Sequence, residues 1–284
     1  MHRICVLGAG TMGAGIAQTC SVAGFSVAMR DLTDAFVEGG FQRMRVPLEK
    51  RVARGKMRQE EMEAILRRIE GFTDLKEALE GADLVIEAVF EDMGVKKELY
   101  GEVDRLSPDQ VVFASNTSSL SITEMAAVTS RPDRVVGMHF FNPAPVMKLV
   151  EVIRGSETSD ETVALAMALS RKLGKEPVEV KESAGFVVNR LLVPLINEAF
   201  NLLLEGVATA EDIDKAMKLG TNMPMGPLEL ADFTGLDVGL AVMEVLQQES
   251  GDPKFRPSPL LRQFVRAGRL GRKTGRGVYD YGGG

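Results

Sequence analysis

The sequence predicts an α/β protein: a Rossmann-type, doubly wound sheet with a helical hairpin insertion, followed by an all-helical second domain. Three observations carry this reading. Short β-branched runs alternate with amphipathic helical stretches through the first half, residues 34–68 show helical periodicity without a strand, and the pattern is wholly helical from Gly185 onward. A chain of 284 residues is too long for one typical core, so two domains are expected, 1–182 and 183–284, sharing an active-site cleft.

In chain order, the clearest strands are residues 4–7, 26–29, 84–89, 111–114 and 135–140, the spacing of a parallel sheet with helices on both faces. The insertion at 34–68, interrupted near Gly55, reads as a helical hairpin standing off the sheet. Residues 148–152 and 177–180 are also strand-like, and the domain boundary falls near Glu182. Long apolar helices follow at 186–204 and 236–247, separated by Gly/Pro-rich turns at 223–227 and 252–259. No internal repeat is visible, and the terminal glycines are the one low-complexity tract.

Composition narrows the function classes. The chain has 34 basic and 40 acidic residues, a net charge of −6, which argues against nucleic acid or an anionic membrane surface as a general partner. Cys5 and Cys20 fall in the first strand and first helix without metal or redox spacing, so both read as reduced, buried thiols and no metal site is expected. An apolar strand begins at Ile4, leaving no room for a signal peptide, and no run approaches a membrane span. The expected location is the cytoplasm.

The first strand runs directly into Gly8-Ala9-Gly10-Thr11-Met12-Gly13, and a helix follows. This is GxGxxG in its strand-turn-helix context: the glycines permit a tight turn, and backbone N–H groups at the helix start can meet a pyrophosphate. The next strand ends at Asp31, placed to accept from an adenosine ribose 2′-hydroxyl and to repel a 2′-phosphate, which favours NAD. Arg30 beside it keeps NADP open.

His2 lies at the terminus, so imidazole chemistry falls to His139, at the end of a strand closed by Asn142-Pro143. The carboxyl ends of strands border the ligand crevice in such sheets, the place for a proton acceptor. Glu151, a charge within the apolar run Lys148-Leu149-Val150-Glu151-Val152-Ile153, is a suitable partner, fixing the tautomer and favouring the imidazolium. The alternative is an edge-strand glutamate facing water. Ser115-Asn116-Thr117-Ser118-Ser119 forms another carboxyl-end loop, able to orient a substrate oxygen or to cap the helix beginning near Ile122. The charges Lys50, Arg51, Arg54, Lys56 and Arg58 fit a solvated helix face.

Several segments together resemble the 3-hydroxyacyl-CoA dehydrogenases, particularly the stand-alone 3-hydroxybutyryl-CoA type. They are Asn116-Thr117-Ser118-Ser119-Leu120, His139-Phe140-Phe141-Asn142-Pro143, Lys148-Leu149-Val150-Glu151-Val152 and Gly185-Phe186-Val187-Val188-Asn189-Arg190. In the second domain they are Pro224-Met225-Gly226-Pro227-Leu228-Glu229-Leu230-Ala231-Asp232 and Gly271-Arg272-Lys273-Thr274-Gly275-Arg276-Gly277. The resemblance implies an NAD-dependent oxidoreductase of an acyl-CoA substrate, with His139 as general base, Glu151 as its partner, and Ser118 and Asn189 orienting the substrate. It also implies that Glu91, Lys96, Asn116, Ser118, Asn142 and Lys273 line the nicotinamide site, that Lys50, Arg54 or Lys56 meets the CoA phosphates, and that the helical domain forms a homodimer. Since Asn189 belongs to the second domain, the active site is expected to be complete only where the domains meet. Two rivals stand beside it: a dehydrogenase of a free hydroxy acid or sugar acid, and a nucleotide-binding protein that has lost catalysis.

Overall fold

The computed structural model describes residues 1–282; Gly283 and Gly284, which close the expected second domain and the terminal glycine run, lie outside the described residues. The chain divides into two compact units, Met1–Ser183 and Ala184–Gly284.

The first unit is built on eight strands: β1 (Arg3–Leu7), β2 (Ser26–Arg30), β3 (Ile69–Phe72), β4 (Leu84–Glu87), β5 (Val112–Ser115), β6 (Val135–Phe140), β7 (Leu149–Arg154) and β8 (Glu176–Lys181). Their order in the sheet is β3-β2-β1-β4-β5-β6-β7-β8. The chain winds outward from β1 in one direction and from β4 in the other, so the crevice at the carboxyl ends of β1 and β4 is the topological switch point. The central strands are buried on both faces, as the unbroken apolar runs of β1 and β4 to β6 require.

Six strand pairs are parallel, and β6 with β7 is antiparallel. The five strands expected to form a parallel sheet, β1, β2, β4, β5 and β6, are mutually parallel, and the one antiparallel pair brings in β7. The connection from β6 to β7 is too short to cross over the sheet, so β7 must return as a hairpin partner. The sequence also gave no sign of β3, which is short and polar with one buried residue, Ile69.

The helices of this unit are α1 (Thr11–Val22), α2 (Asp34–Ala53), α3 (Gln59–Arg67), α4 (Leu75–Leu79), α5 (Met93–Leu106), α6 (Ile122–Ala126) and α7 (Asp160–Lys172). The insertion forms the hairpin α2–α3, turning at Gly55 with φ 66°. It does not stand wholly off the sheet, because Val37 and Met44 of α2 enter the main core and Val37 packs over β3 at Gly71. Leu48, Met62 and Ile65 make a small core of their own.

The second unit comprises α8 (Val188–Leu204), α9 (Ala210–Thr221), α10 (Pro227–Thr234), α11 (Leu236–Ser250) and α12 (Pro259–Arg266). α8 begins at Val188 rather than Phe186, because Gly185 and Phe186 have φ of 70° and 52°, outside the right-handed helical region. Ile196, Phe200, Leu228, Leu236 and Leu261 form its principal core. The tail after α12 is irregular and is held by two buried carboxylates. Asp232 accepts from the N–H groups of Val278 and Tyr279 at 2.8 and 2.9 Å and from the Tyr281 hydroxyl at 3.1 Å, while Asp214 accepts from the Tyr279 hydroxyl at 2.7 Å. Among the described residues, no helix is long and apolar enough to cross a membrane.

Candidate active site

At the switch point, β1 passes into the glycine-rich turn. Gly8 has φ 103°, and a Cβ there would lie 2.5 Å from the carbonyl oxygen of Ala88, immediately after β4. At Gly13 a Cβ would lie 1.9 Å from the carbonyl oxygen of Gly8, so this glycine lets α1 pack directly on the turn. A Cβ on Gly10 would meet nothing within 4 Å, so protein packing does not require a glycine there; a ligand approaching the backbone would. α1 starts after Gly10, at Thr11 and Met12, without a side-chain cap, leaving the helix N-terminus suited to a phosphate group. Asp31, just past β2, accepts from Ala9 N–H at 2.7 Å through Oδ2 and from Leu32 N–H at 2.7 Å through Oδ1. Its carboxylate is therefore held against the turn. The neighbouring Arg30 is directed elsewhere, its Nε donating to the Thr73 carbonyl at 3.0 Å.

A charged network lies beneath the next two loops. Lys96 of α5 is fully buried, and its ammonium pairs with Glu87 at 2.6 Å and Glu91 at 3.2 Å. Glu87 also accepts from the Ser115 hydroxyl and from Val89 N–H, both at 2.7 Å. Glu91 accepts from the Thr117 hydroxyl at 2.6 Å and from Ser118 N–H at 2.8 Å. Ser118 is thus tied through Glu91 and Lys96 to the end of β4. The helix α6 is capped by Ser121, which accepts from Glu124 N–H, so residues 115–119 do not serve as that cap.

His139 and Glu151 are directly opposed in the β6–β7 pairing. Nδ1–H of His139 donates to Glu151 Oε2 at 2.8 Å, an assignment that follows from the carboxylate being an acceptor. Glu151 is 1% exposed and His139 4%, and β8 covers the far side of β7, so the water-facing edge reading of Glu151 fails. Asn116 Oδ1 accepts from Phe140 N–H at 2.9 Å, fixing the strand end beside His139, and the Phe141 ring lies 4.5 Å from the imidazole. Asn142 follows on the exposed β6–β7 connection.

The other expected residues belong to other elements. Lys50, Arg54 and Lys56 are exposed at the turn of the α2–α3 hairpin, and among the described residues none of them is in an ion pair. Asn189 lies in the first turn of α8 and Lys273 in the tail, both in the second unit, with Lys273 paired to Asp237 at 2.6 Å.

Comparison with known proteins decides the family. Residues 3–183 match the 3-hydroxyacyl-CoA dehydrogenase NAD binding domain, and residues 185–281 match the C-terminal domain of the same family. The chain belongs to the 3-hydroxyacyl-CoA dehydrogenase family. This 3-hydroxyacyl-CoA dehydrogenase is 55% identical to a probable 3-hydroxybutyryl-CoA dehydrogenase of Bacillus subtilis, covering 99% of this chain and 98% of the relative. It is 43% identical to the mitochondrial hydroxyacyl-coenzyme A dehydrogenase of Sus scrofa, covering 99% and 91%. A crystal structure of (S)-3-hydroxybutyryl-CoA dehydrogenase from Ralstonia eutropha superimposes with a TM-score of 0.95 at 53% identity, covering all of both chains. The cofactor is NAD. In this 3-hydroxyacyl-CoA dehydrogenase the reading of the sequence overlooked Glu87, although its signal was the one that drew attention to Glu151: a charge closing an apolar strand, Leu84-Val85-Ile86-Glu87.

Proposed function

We propose that the enzyme interconverts short-chain (S)-3-hydroxyacyl-CoA and 3-ketoacyl-CoA with NAD(H), the preferred pair being 3-hydroxybutyryl-CoA and acetoacetyl-CoA. The observation that carries the mechanism is the buried His139–Glu151 pair at 2.8 Å. With Nδ1 engaged, proton transfer falls to Nε2. In the oxidative direction the 3-hydroxyl gives its proton to His139 Nε2 while the hydrogen on C3 leaves as hydride and the C3–O bond becomes a carbonyl. When bound, NAD supplies the hydride acceptor. Glu151 stabilises the imidazolium and holds the ring in place. Ser118 and Asn189 orient the substrate oxygen. In reduction His139 returns the proton.

On the cofactor side, Gly8, Gly10 and Gly13 with the first turn of α1 hold the pyrophosphate, and Asp31 holds the adenosine ribose. Glu91, Lys96, Asn116, Ser118, Asn142 and Lys273 serve the nicotinamide half, and Lys50, Arg54 and Lys56 meet the CoA phosphates. The helical unit is assigned to homodimerisation, supported by the exposed apolar side chains Leu191 and Leu195 one turn apart on α8 and Leu219 on α9. The free thiols Cys5 and Cys20 suit a cytoplasmic location.

The deciding experiment is a steady-state panel of acetoacetyl-CoA and longer 3-ketoacyl-CoAs, each with NADH and NADPH. The highest kcat/KM is expected for acetoacetyl-CoA with NADH. Turnover of a free 3-keto acid as fast as its CoA thioester would exclude the CoA assignment.

A further inference from the structure

We propose that Lys175 is a positioning residue for the nicotinamide side of the site, acting as a clamp on the connection between His139 and Glu151. The proposal rests on the reading above, in which Asn142 on this connection serves the cofactor.

Residues 142–147 leave β6 two residues beyond His139's neighbour Phe140 and deliver the chain back into β7. Because they lie outside the sheet, their carbonyl groups have no ladder partners and must be satisfied otherwise. Val146 and Met147 both donate to the Pro143 carbonyl, at 2.9 and 3.0 Å, closing a tight turn. Lys175, in the turn between α7 and β8, satisfies two more: its ammonium donates to the carbonyls of Ala144 at 2.5 Å and Met147 at 2.8 Å. The adjacent Glu176 N–H donates to the Lys148 carbonyl at 2.8 Å, so residues 175 and 176 hold the returning chain at three points, Ala144, Met147 and Lys148.

The geometry is that of a built anchor. Lys175 is 6% exposed, and among the described residues its side chain is in no ion pair with a carboxylate. Burial lowers the affinity of its amine for a proton, consistent with an ammonium held by carbonyl dipoles alone. The clamped segment also rests on α1. Ala144 is buried, and a Cβ on Gly15 of α1 would lie 3.2 Å from both Ala144 Cβ and Pro145 Cδ. The segment is therefore held both by α1, which starts at the glycine-rich turn, and by the ammonium of Lys175. Removing the ammonium leaves two carbonyls unsatisfied and frees the segment to shift along α1, carrying Asn142 with it.

The test compares Lys175→Met and Lys175→Arg with the unaltered enzyme, using NADH titration by fluorescence and steady-state kinetics with acetoacetyl-CoA. In Lys175→Met the dissociation constant for NADH should rise and kcat fall, each by about tenfold or more, with the KM for acetoacetyl-CoA changed by less than about threefold; Lys175→Arg, which keeps charged donors, should recover most of the loss. A lowered Tm with unchanged NADH binding and kcat would reduce Lys175 to a stabilising residue and overturn the proposal. A second measurement does not depend on any variant folding: in the unaltered enzyme NADH should slow hydrogen exchange at the Val146 and Met147 amides, and unchanged rates would also overturn it. If NADH does not bind the unaltered enzyme, the functional reading falls and this proposal with it; if NADH binds normally to Lys175→Met, the role of Lys175 alone falls.

Discussion

His139 and Glu151 stand opposite one another on antiparallel neighbours, and one hydrogen bond of 2.8 Å joins ring and carboxylate. If the two act as a unit, His139→Gln should lower kcat by about 10² to 10⁴, with NADH affinity nearly unchanged. Glu151→Gln should lower kcat less, and the double variant should be far less impaired than the product of the single losses, since a carboxylate cannot assist an absent base. Multiplicative losses in steady-state assays would separate the two roles.

Asp31 holds the glycine-rich turn through Ala9 N–H, and the proposed function assigns its carboxylate to the adenosine ribose. Asp31→Ser should therefore weaken NADH binding and, by removing the charge that repels a 2′-phosphate, narrow the NADH over NADPH preference by about tenfold or more. The ratio of the two kcat/KM values reads this directly. A preference left intact would place discrimination elsewhere.

Lys96 is the one cation within the Glu87–Lys96–Glu91 cluster. Lys96→Met leaves the buried carboxylate of Glu87 facing Glu91 without compensation, and should destabilise the fold by about 3–5 kcal/mol in urea unfolding. Adding Glu87→Gln should restore part of that stability, because the second change removes the stranded charge.

The exposed bases at the hairpin turn give a substrate-side expectation. Neutralising Lys50, Arg54 and Lys56 together should raise KM for acetoacetyl-CoA much more than for a truncated pantetheine thioester. Equal effects on both would assign the cluster another purpose.

Burial raises both thiols, Cys5 and Cys20, from 9.0 to about 12. The folded protein thus retains protons that the unfolded chain releases above pH 9, so these groups leave stability unaffected below that pH and erode it between about 9 and 12. The slope approaches about 1.4 kcal/mol per pH unit for each thiol. A Cys5→Ala/Cys20→Ala variant should show a shallower alkaline decline in unfolding free energy than the unaltered enzyme, whatever its stability at neutral pH. Matching declines would refute the contribution.

The sequence displayed the fold wherever local pattern and tertiary role agree. The apolar runs of β1 and β4 to β6 are legible because burial on both faces demands them, and the glycine-rich turn because Gly8 and Gly13 answer to steric limits of the backbone. β3 was not legible: it is an edge strand whose Gly71 answers to the approach of Val37 from a distant helix. The antiparallel return of β7 leaves no mark in strand composition, which carries no direction, but the short connection between the runs at 135–140 and 148–152 already decides it. In the site, His139 and Glu151 could be paired because each is anomalous in its strand. Lys175 could not, since its partners are backbone carbonyls that leave no side-chain signature.

The docking of the tail onto Asp232 gathers three attachment points onto one side chain: the Val278 and Tyr279 amides and the Tyr281 hydroxyl all converge on that carboxylate. The segment is therefore closed by a single latch rather than by separate contacts, and what loosens one point loosens all three. An Asp232→Ala variant should expose residues 276–281 to limited proteolysis while the sheet unit stays resistant, so the state of this one carboxylate can be read from where the chain is first cut.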